Sequence, residues 1–403
     1  MPAASPGPDA DARPVGVAPG TLYLPELEGL RGVAMLLVLV FHTDGLLHLF
    51  PGRPSEGEVV SPLYALIRGG GDLGVDLFFV LSSFLLTLPF LRGAAVGRPP
   101  SLRRFAQRRA LRILPLYFFA VLVAVLANTR HAADLLRGVP YLFFLNAVPG
   151  LTEPLLPFSG VWWSLATEWQ FYVVLALTAW LCRTPAGRRA ALGGLVIWAV
   201  AYAAWLAGAF VVGTGFDQWA LAFSLFGRAP SFLFGAMTAW LYVRHGEALR
   251  TRLRGGLGST ASAVAFVGAV AAIAYLMRWV TWFGAVRNQA PPWHGYHLLQ
   301  ALLCAALLAV VVLAPTRARG LLCRPLLLRL GVLSYSMYVW HVPVLLAGLL
   351  LARGAGLIGL AGWTWPSAAV VVALWLVCVA ISEVTYRCVE RPFLVRKQRV
   401  AAT

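Results

Sequence analysis

The sequence predicts an all-α polytopic membrane protein: a bundle of about ten transmembrane helices, eleven if one short apolar stretch also enters the bilayer, with both termini cytoplasmic. Three observations predict it. Of 403 residues, 60% are hydrophobic and 12% charged, where an ordinary soluble domain holds roughly 45–50% and about 25%. Apolar runs of about 20 residues, the length that crosses a bilayer as a helix, recur along the chain. The formal net charge is +17, and of the 33 basic residues every one but Lys397 is Arg. They gather in short loops between the apolar runs, which is a signature of membrane orientation rather than of nucleic-acid binding. A soluble enzyme, a disordered chain, a collagen and a disulfide scaffold are excluded together.

Residues 1–24 are rich in Pro, Ala and Gly and set Asp9 and Asp11 against Arg13. They lack the basic n-region of a signal peptide and read as a disordered tail. Residues 25–393 form the membrane domain, and 394–403 a basic cytoplasmic tail. The predicted spans are 31–50, 73–91, 111–128, 161–182, 190–212, 218–243, 257–281, 295–314, 328–352 and 365–388. The sixth contains Arg228-Ala-Pro230, which is expected to break it into two half-helices. The stretch 138–150 is apolar but short, so it reads as re-entrant or interfacial. Alternate loops divide the basic residues 25 to eight, and the richer set belongs in the cytoplasm.

The five cysteines are scattered with no CxxC pair, which points to neither a disulfide framework nor a zinc site. His294 and His297 are spaced i, i+3 at an outer helix end with no acidic partner in view, so no metal is expected.

Ionisable groups inside a bilayer are costly and mark function or pairing. Arg31 and His42 lie eleven residues apart, which brings both onto one helix face about 16 Å apart along the axis. A groove running inward from Arg31 would end on His42, an imidazole suited to general-base work near neutral pH; a histidine bonded to another helix is the alternative. Arg109 and Arg112, three apart at the start of span three, can clamp phosphates with planar forks, or simply belong to the cytoplasmic charge. Glu168 lies about 10 Å into its span, near the depth of His42. It is placed to orient the imidazole, to hold a hydroxyl, or to pair with an arginine such as Arg228. Tyr335, Tyr338 and His341 line one helix as a polar path or as packing, and Asp76 pairs with another helix.

Several segments, in order, resemble the acyltransferase 3 family of bacterial integral-membrane O-acyltransferases. Glu28-Gly-Leu-Arg31-Gly opens the Arg-x10-His pattern that ends on His42. Gly74-Val-Asp76 through Ser82-Ser83-Phe84 is similar to the GVD-FFV-SGF segment, and Arg108-Arg-Ala-Leu-Arg112-Ile-Leu-Pro115-Leu-Tyr117 to Arg-x-x-Arg-Ile-x-Pro-x-Tyr. Trp163-Ser-Leu-Ala-Thr-Glu168 resembles WSL-x-x-E. The segments around Gly227-Arg228 and Ser334-Tyr335 to His341, and the terminal Tyr386 to Glu390-Arg-Pro-Phe393, also fit. Ser83 stands where the family has Gly, and Trp169 where a second Glu is common.

The resemblance implies transfer of an acyl group, often acetyl, from acyl-CoA to a hydroxyl, commonly on a sugar of a surface polysaccharide, peptidoglycan, glycolipid or secondary metabolite. It implies residence in the cytoplasmic (inner) membrane and His42 as the catalytic histidine. Arg31, Arg109 and Arg112 are implied as donor-site residues. Glu168 would then assist catalysis, with Asp76, Ser83, Arg228, Tyr335, Tyr338 and His341 as pathway or structural polar groups. A covalent acyl-enzyme on Ser82, Ser83 or Tyr338 stays open beside direct transfer. Some members carry an extracytoplasmic SGNH hydrolase-like domain, and none is expected in a sequence ending at Thr403. Two rivals from other classes are a proton-coupled transporter or exporter of an envelope precursor and a non-catalytic subunit of an envelope assembly. Oligomeric state is not legible from the sequence.

Overall fold

A computed structural model describes residues 23–47, 62–148, 151–212, 221, 223–278, 290–314, 318–357 and 365–402. Residues 1–22, and so nearly all of the predicted N-terminal tail, lie outside the described residues. The long helices are α1 (Pro25–Leu47), α2 (Pro62–Ala95), α3 (Leu102–Asn128), α4 (Trp163–Leu181), α5 (Pro185–Val212), α6 (Leu225–Arg252), α7 (Gly256–Arg278), α8 (Ala290–Leu313), α9 (Pro325–Gly354) and α10 (Trp365–Thr385). A π-turn (Tyr386–Glu390) joins α10 to a closing helix α11 (Arg391–Ala402).

Eight helical stretches among the described residues are long and apolar enough to cross a membrane. They are α1, Leu73–Ala95 of α2, α3, the first part of α5, α7 through Met277, α8 from Gly295, α9, and Ala368–Gln398. The fourth and sixth predicted spans are helical as well. Glu168 and Gln170 in α4 and the charged run from Arg244 to Arg252 in α6 lower their mean hydropathy. The described part of the stretch 138–150, residues 138–148, holds only short turns, Val139–Leu142 and Leu145–Ala147, with Leu142 and Phe143 exposed.

The sixth predicted span is interrupted at the extended Ser224, between helical Phe223 and Leu225, and not at Arg228-Ala-Pro230, through which α6 runs unbroken. A proline in a helix leaves the carbonyl four residues back without a donor. That carbonyl belongs to Phe226, and the Trp198 indole of α5 donates to it at 3.4 Å. The neighbouring helix thus satisfies the group that would otherwise end the helix.

Lipid is as apolar as a protein core, so helices here are held by close packing and polar contacts. Gly32 of α1 and Gly331 of α9 face backbone across the α1–α9 crossing: a Cβ on Gly331 would strike the Glu28 carbonyl, and one on Gly32 the Leu327 carbonyl. The two helices therefore run at backbone contact, and this sets His42 against His341 of α9. Ile197 on α5 and Val264 on α7 are exposed on the outside of the bundle, as lipid-facing residues should be. Residues 394–402, read from the sequence as a tail, continue as α11, which packs against α3 and buries Leu394.

Candidate active site

A cavity of about 640 Å³ opens between α1, α2, α3, α4, α9 and α11. Its mouth collects the basic ends of these helices. Six arginines (31, 92, 104, 108, 109 and 112) and Lys397 line it, against Glu28 and Glu168. The rest of the lining comes from Phe78 and Ser82 of α2, Ile113 of α3, Ser164 and Glu168 of α4, and Tyr335 and Tyr338 of α9. The cavity is thus basic at one end and aromatic with scattered hydroxyls at the other.

The basic residues are not equivalent. Arg112 is engaged: its Nη1 donates to Glu390 Oε2 at 3.1 Å, and its guanidinium lies over the Tyr335 ring at 5.8 Å. Glu390 is 2% exposed and also accepts from the Ser336 hydroxyl. The π-turn carries this carboxylate inward, as π-bulges at functional sites often do. Arg31 lies 3.5 Å from Glu28, one turn back on its own helix. Arg108 and Arg109 each keep a buried Nε with no hydrogen-bond partner among the described residues. Buried donors of that kind need an acceptor, and a cavity lined by cations supplies room for an anionic one. Lys397 stands among Arg31, Arg108, Arg109 and Arg112, delivered by α11. At the mouth, burial pushes the Tyr23 phenol up to about 12, so it serves there as a neutral hydroxyl.

Glu168 accepts a hydrogen bond from the Ser82 hydroxyl, and Tyr172 lies beside both. The pairing of Glu168 with Arg228 considered from the sequence is not formed. Arg228 instead joins Asp76, with Nη1 3.1 Å from Oδ2, and Ser231 donates to Asp76 Oδ1 at 2.8 Å. His297 Nδ1 lies 3.1 Å from Asp76 Oδ2 and 2.7 Å from Arg228 Nη1. The acidic partner that His297 lacked in the sequence is thus Asp76, from a helix more than two hundred positions away. The His294 side chain is outside the described residues. Among those described, no group of three or more His, Cys, Asp or Glu is arranged to hold a metal ion. Arg228 also lies over Trp163 at 5.3 Å, so the buried cluster braces the helix that carries Ser164 and Glu168.

At the inner end, Tyr338 hydroxyl lies 2.6 Å from Ser164 Oγ and donates to the Val161 carbonyl at 2.8 Å. Tyr335 donates to the Ile113 carbonyl at 2.8 Å. The Tyr338 ring is 5.6 Å from that of His341, whose Nε2 is 3.2 Å from His42 Nδ1. The groove expected to run from Arg31 to His42 therefore differs in its end point. Tyr338 and Ser164 line its inner end, and His42 sits one ring beyond them. Ser83 is turned away from the cavity and donates to the Phe232 carbonyl at 2.5 Å, tying α2 to α6. Trp169 stacks on Phe144 at 4.8 Å, and Phe144 on Tyr117 at 4.5 Å, so the ring that replaces a carboxylate is packing. The sequence names Ser82 only as a candidate acyl carrier and gives no site role to Ser164, Glu390 or Lys397. Lys397, alone of its type in an arginine-rich chain, carried a signal.

A multi-pass helical bundle with a cation-lined cavity leading to hydroxyls and a histidine pair is the architecture of a membrane group-transfer enzyme. The family model described as an acyltransferase domain matches residues 24–383, and the chain belongs to this acyltransferase 3 family. It is similar to "Putative membrane-bound transacylase BcsY" of Komagataeibacter xylinus, 28% identical over 79% of this chain and 72% of that protein. It is 22% identical to "Putative O-acetyltransferase SACOL0978" of Staphylococcus aureus (strain COL), over 94% of this chain and 58% of that one. It is 23% identical to "Peptidoglycan O-acetyltransferase OatA" of Listeria monocytogenes, over 80% of this chain and 49% of that one. The chain thus spans about half to three-fifths of the length of these two acetyltransferases. No solved structure matches.

Proposed function

We infer that the protein moves an acyl group, acetyl in the first instance, from acyl-CoA to a hydroxyl of a sugar-containing acceptor such as a surface polysaccharide, peptidoglycan, glycolipid or secondary metabolite. It works in the cytoplasmic (inner) membrane, with ten crossings, both termini cytoplasmic and the basic mouth of the cavity on the cytoplasmic side. The observation that carries this reading is the cavity itself: an arginine-lined mouth with two buried, partnerless guanidinium Nε groups, narrowing to Ser164 and Tyr338 beside the His42–His341 pair.

In this reading Arg109, Arg108 and Arg31 hold the donor phosphates through charge-assisted bonds. Arg112 sets the floor of that site through Glu390, and Lys397 closes it. The thin acyl-bearing arm of the donor runs along Phe78, Tyr335 and Glu168 to Ser164. The acceptor hydroxyl stands between the thioester and His42. His42 takes its proton as the oxygen attacks the thioester carbon; the C–S bond breaks, and the thiolate leaves to be protonated. The Ser164 hydroxyl, which can turn from Tyr338 to the donor, lies where charge develops on the carbonyl oxygen, and Tyr338, bonded to the Val161 carbonyl, holds it in place. Glu168, held by Ser82, orients the arm or the acceptor.

The test is free-thiol release from acetyl-CoA and longer acyl-CoAs by detergent-purified protein with a panel of glycosides, wild type beside His42→Ala. Release by wild type alone is expected. A folded wild type that neither binds nor cleaves any acyl-CoA would overturn the reading and favour a transporter.

A further inference from the structure

The two buried histidines are joined in a way that decides where protons sit. His341 Nδ1 lies 3.1 Å from the Met337 carbonyl and 2.9 Å from the Tyr338 carbonyl. A carbonyl only accepts, so Nδ1 carries the hydrogen. His341 is fully buried and its Nε2 lies 3.2 Å from His42 Nδ1. The Val38 carbonyl, one turn back at 2.9 Å, is a second acceptor for a hydrogen on His42 Nδ1, though not one that fixes it there by itself. Among the described residues, the arrangement that satisfies these four contacts has His341 Nε2 as acceptor and His42 Nδ1–H as a donor shared between Val38 and His341. The second nitrogen of His42, Nε2, is left with the lone pair. The rings meet edge to face, 4.7 Å between centroids and 72° between planes, which suits an N–H of one ring meeting the in-plane lone pair of the other.

We propose that His341 is a positioning residue that sets the tautomer of His42, holding the proton on Nδ1 so that Nε2 is the base. The proposal rests on the reading of His42 as the general base and adds the group that makes one of its nitrogens basic. When His42 Nε2 takes a proton from the acceptor hydroxyl, the imidazolium keeps its Nδ1–H on His341 Nε2 and the Val38 carbonyl. No proton passes to His341. A neutral imidazole thus does what a carboxylate does in a hydrolase triad, in a site where an added carboxylate would be costly to bury. The α1–α9 crossing at Gly32 and Gly331 keeps the two rings at this distance.

The test combines turnover with a spectroscopic signature. Selective 15N-histidine labelling of the full chain in lipid, read by solid-state NMR with His42→Gln to assign the signal, should show His42 with Nδ1 protonated and Nε2 unprotonated. In His341→Phe the same signal should split between tautomers. The rate of thiol release from acetyl-CoA should fall by roughly 10²-fold at unchanged donor KM, within the range one acid–base group contributes. His341→Gln, which offers an oxygen near the Nε2 position, should restore most of the rate. A wild-type His42 protonated on Nε2 overturns the proposal, and so does a folded His341→Phe with wild-type kcat. If His341→Phe fails to fold, the wild-type spectrum alone decides. A protein with the stated tautomer but no thiol release keeps the proposal and sinks the acyl-CoA reading.

Discussion

Two arginines three residues apart have different work, and substitution should separate them. Arg109 has a buried Nε without a partner among the described residues, whereas Arg112 is bonded to Glu390. Arg109→Ala should weaken acyl-CoA binding by roughly 10–100-fold, the value of about 1.5–3 kcal/mol for a charge-assisted hydrogen bond. Its melting temperature should stay near wild type. Arg112→Ala should instead lower the melting temperature, because it strands the Glu390 carboxylate, 2% exposed. Leaving one member of a buried pair alone costs about 3–5 kcal/mol. Isothermal titration with acetyl-CoA and a thermal melt followed by tryptophan fluorescence would check both. Lost activity in Arg109→Ala at unchanged donor affinity would contradict the clamp. Both line the cavity, and the sequence carried no sign of which one was already bonded. The partner lies 278 positions away and is turned inward by a π-turn that has no residue-type signature.

Among the helices, polar contacts and backbone proximity do what apolar burial does in a soluble core. Asp76 and Arg228 join α2 to α6, both nearly fully buried, and Arg228 braces Trp163 of α4. Asp76→Ala should destabilise the protein by about 3–5 kcal/mol, and Asp76→Ala with Arg228→Leu should recover part of the loss, since an apolar pair avoids the stranded charge. A thermal melt of the two variants decides this, and a single variant as stable as wild type would remove the argument. The α1–α9 crossing is the second device. Gly331→Val places two methyl groups against the Glu28 carbonyl and should cost about 1–3 kcal/mol as the helices part. Thiol release should fall further than stability does, because the same shift separates His341 from His42. The break expected at Arg228-Ala-Pro230 falls instead at Ser224, and the Trp198 indole that takes up the Phe226 carbonyl ahead of Pro230 belongs to a neighbour the local sequence cannot show.

For the whole molecule, orientation is the open quantity with a direct assay. Cys182 is exposed just past α4, in the loop set richest in arginine. In a Cys388→Ser background, a membrane-impermeant maleimide should label Cys182 in inside-out vesicles and not in intact spheroplasts. Labelling in spheroplasts would reverse the orientation and put the arginine-lined mouth outside, away from cytoplasmic acyl-CoA. By itself the sequence determined the membrane class, the helical content and the family. Hydropathy, charge bias and ordered motifs are sums over local residues and need no fold to be read. Only the tertiary structure decided which polar groups meet: Glu168 with Ser82 rather than Arg228, His297 with Asp76, Arg112 with Glu390, His42 with His341. The depth and rotation of each helix set those pairings, and both come from close packing between helices, which helical periodicity alone leaves free.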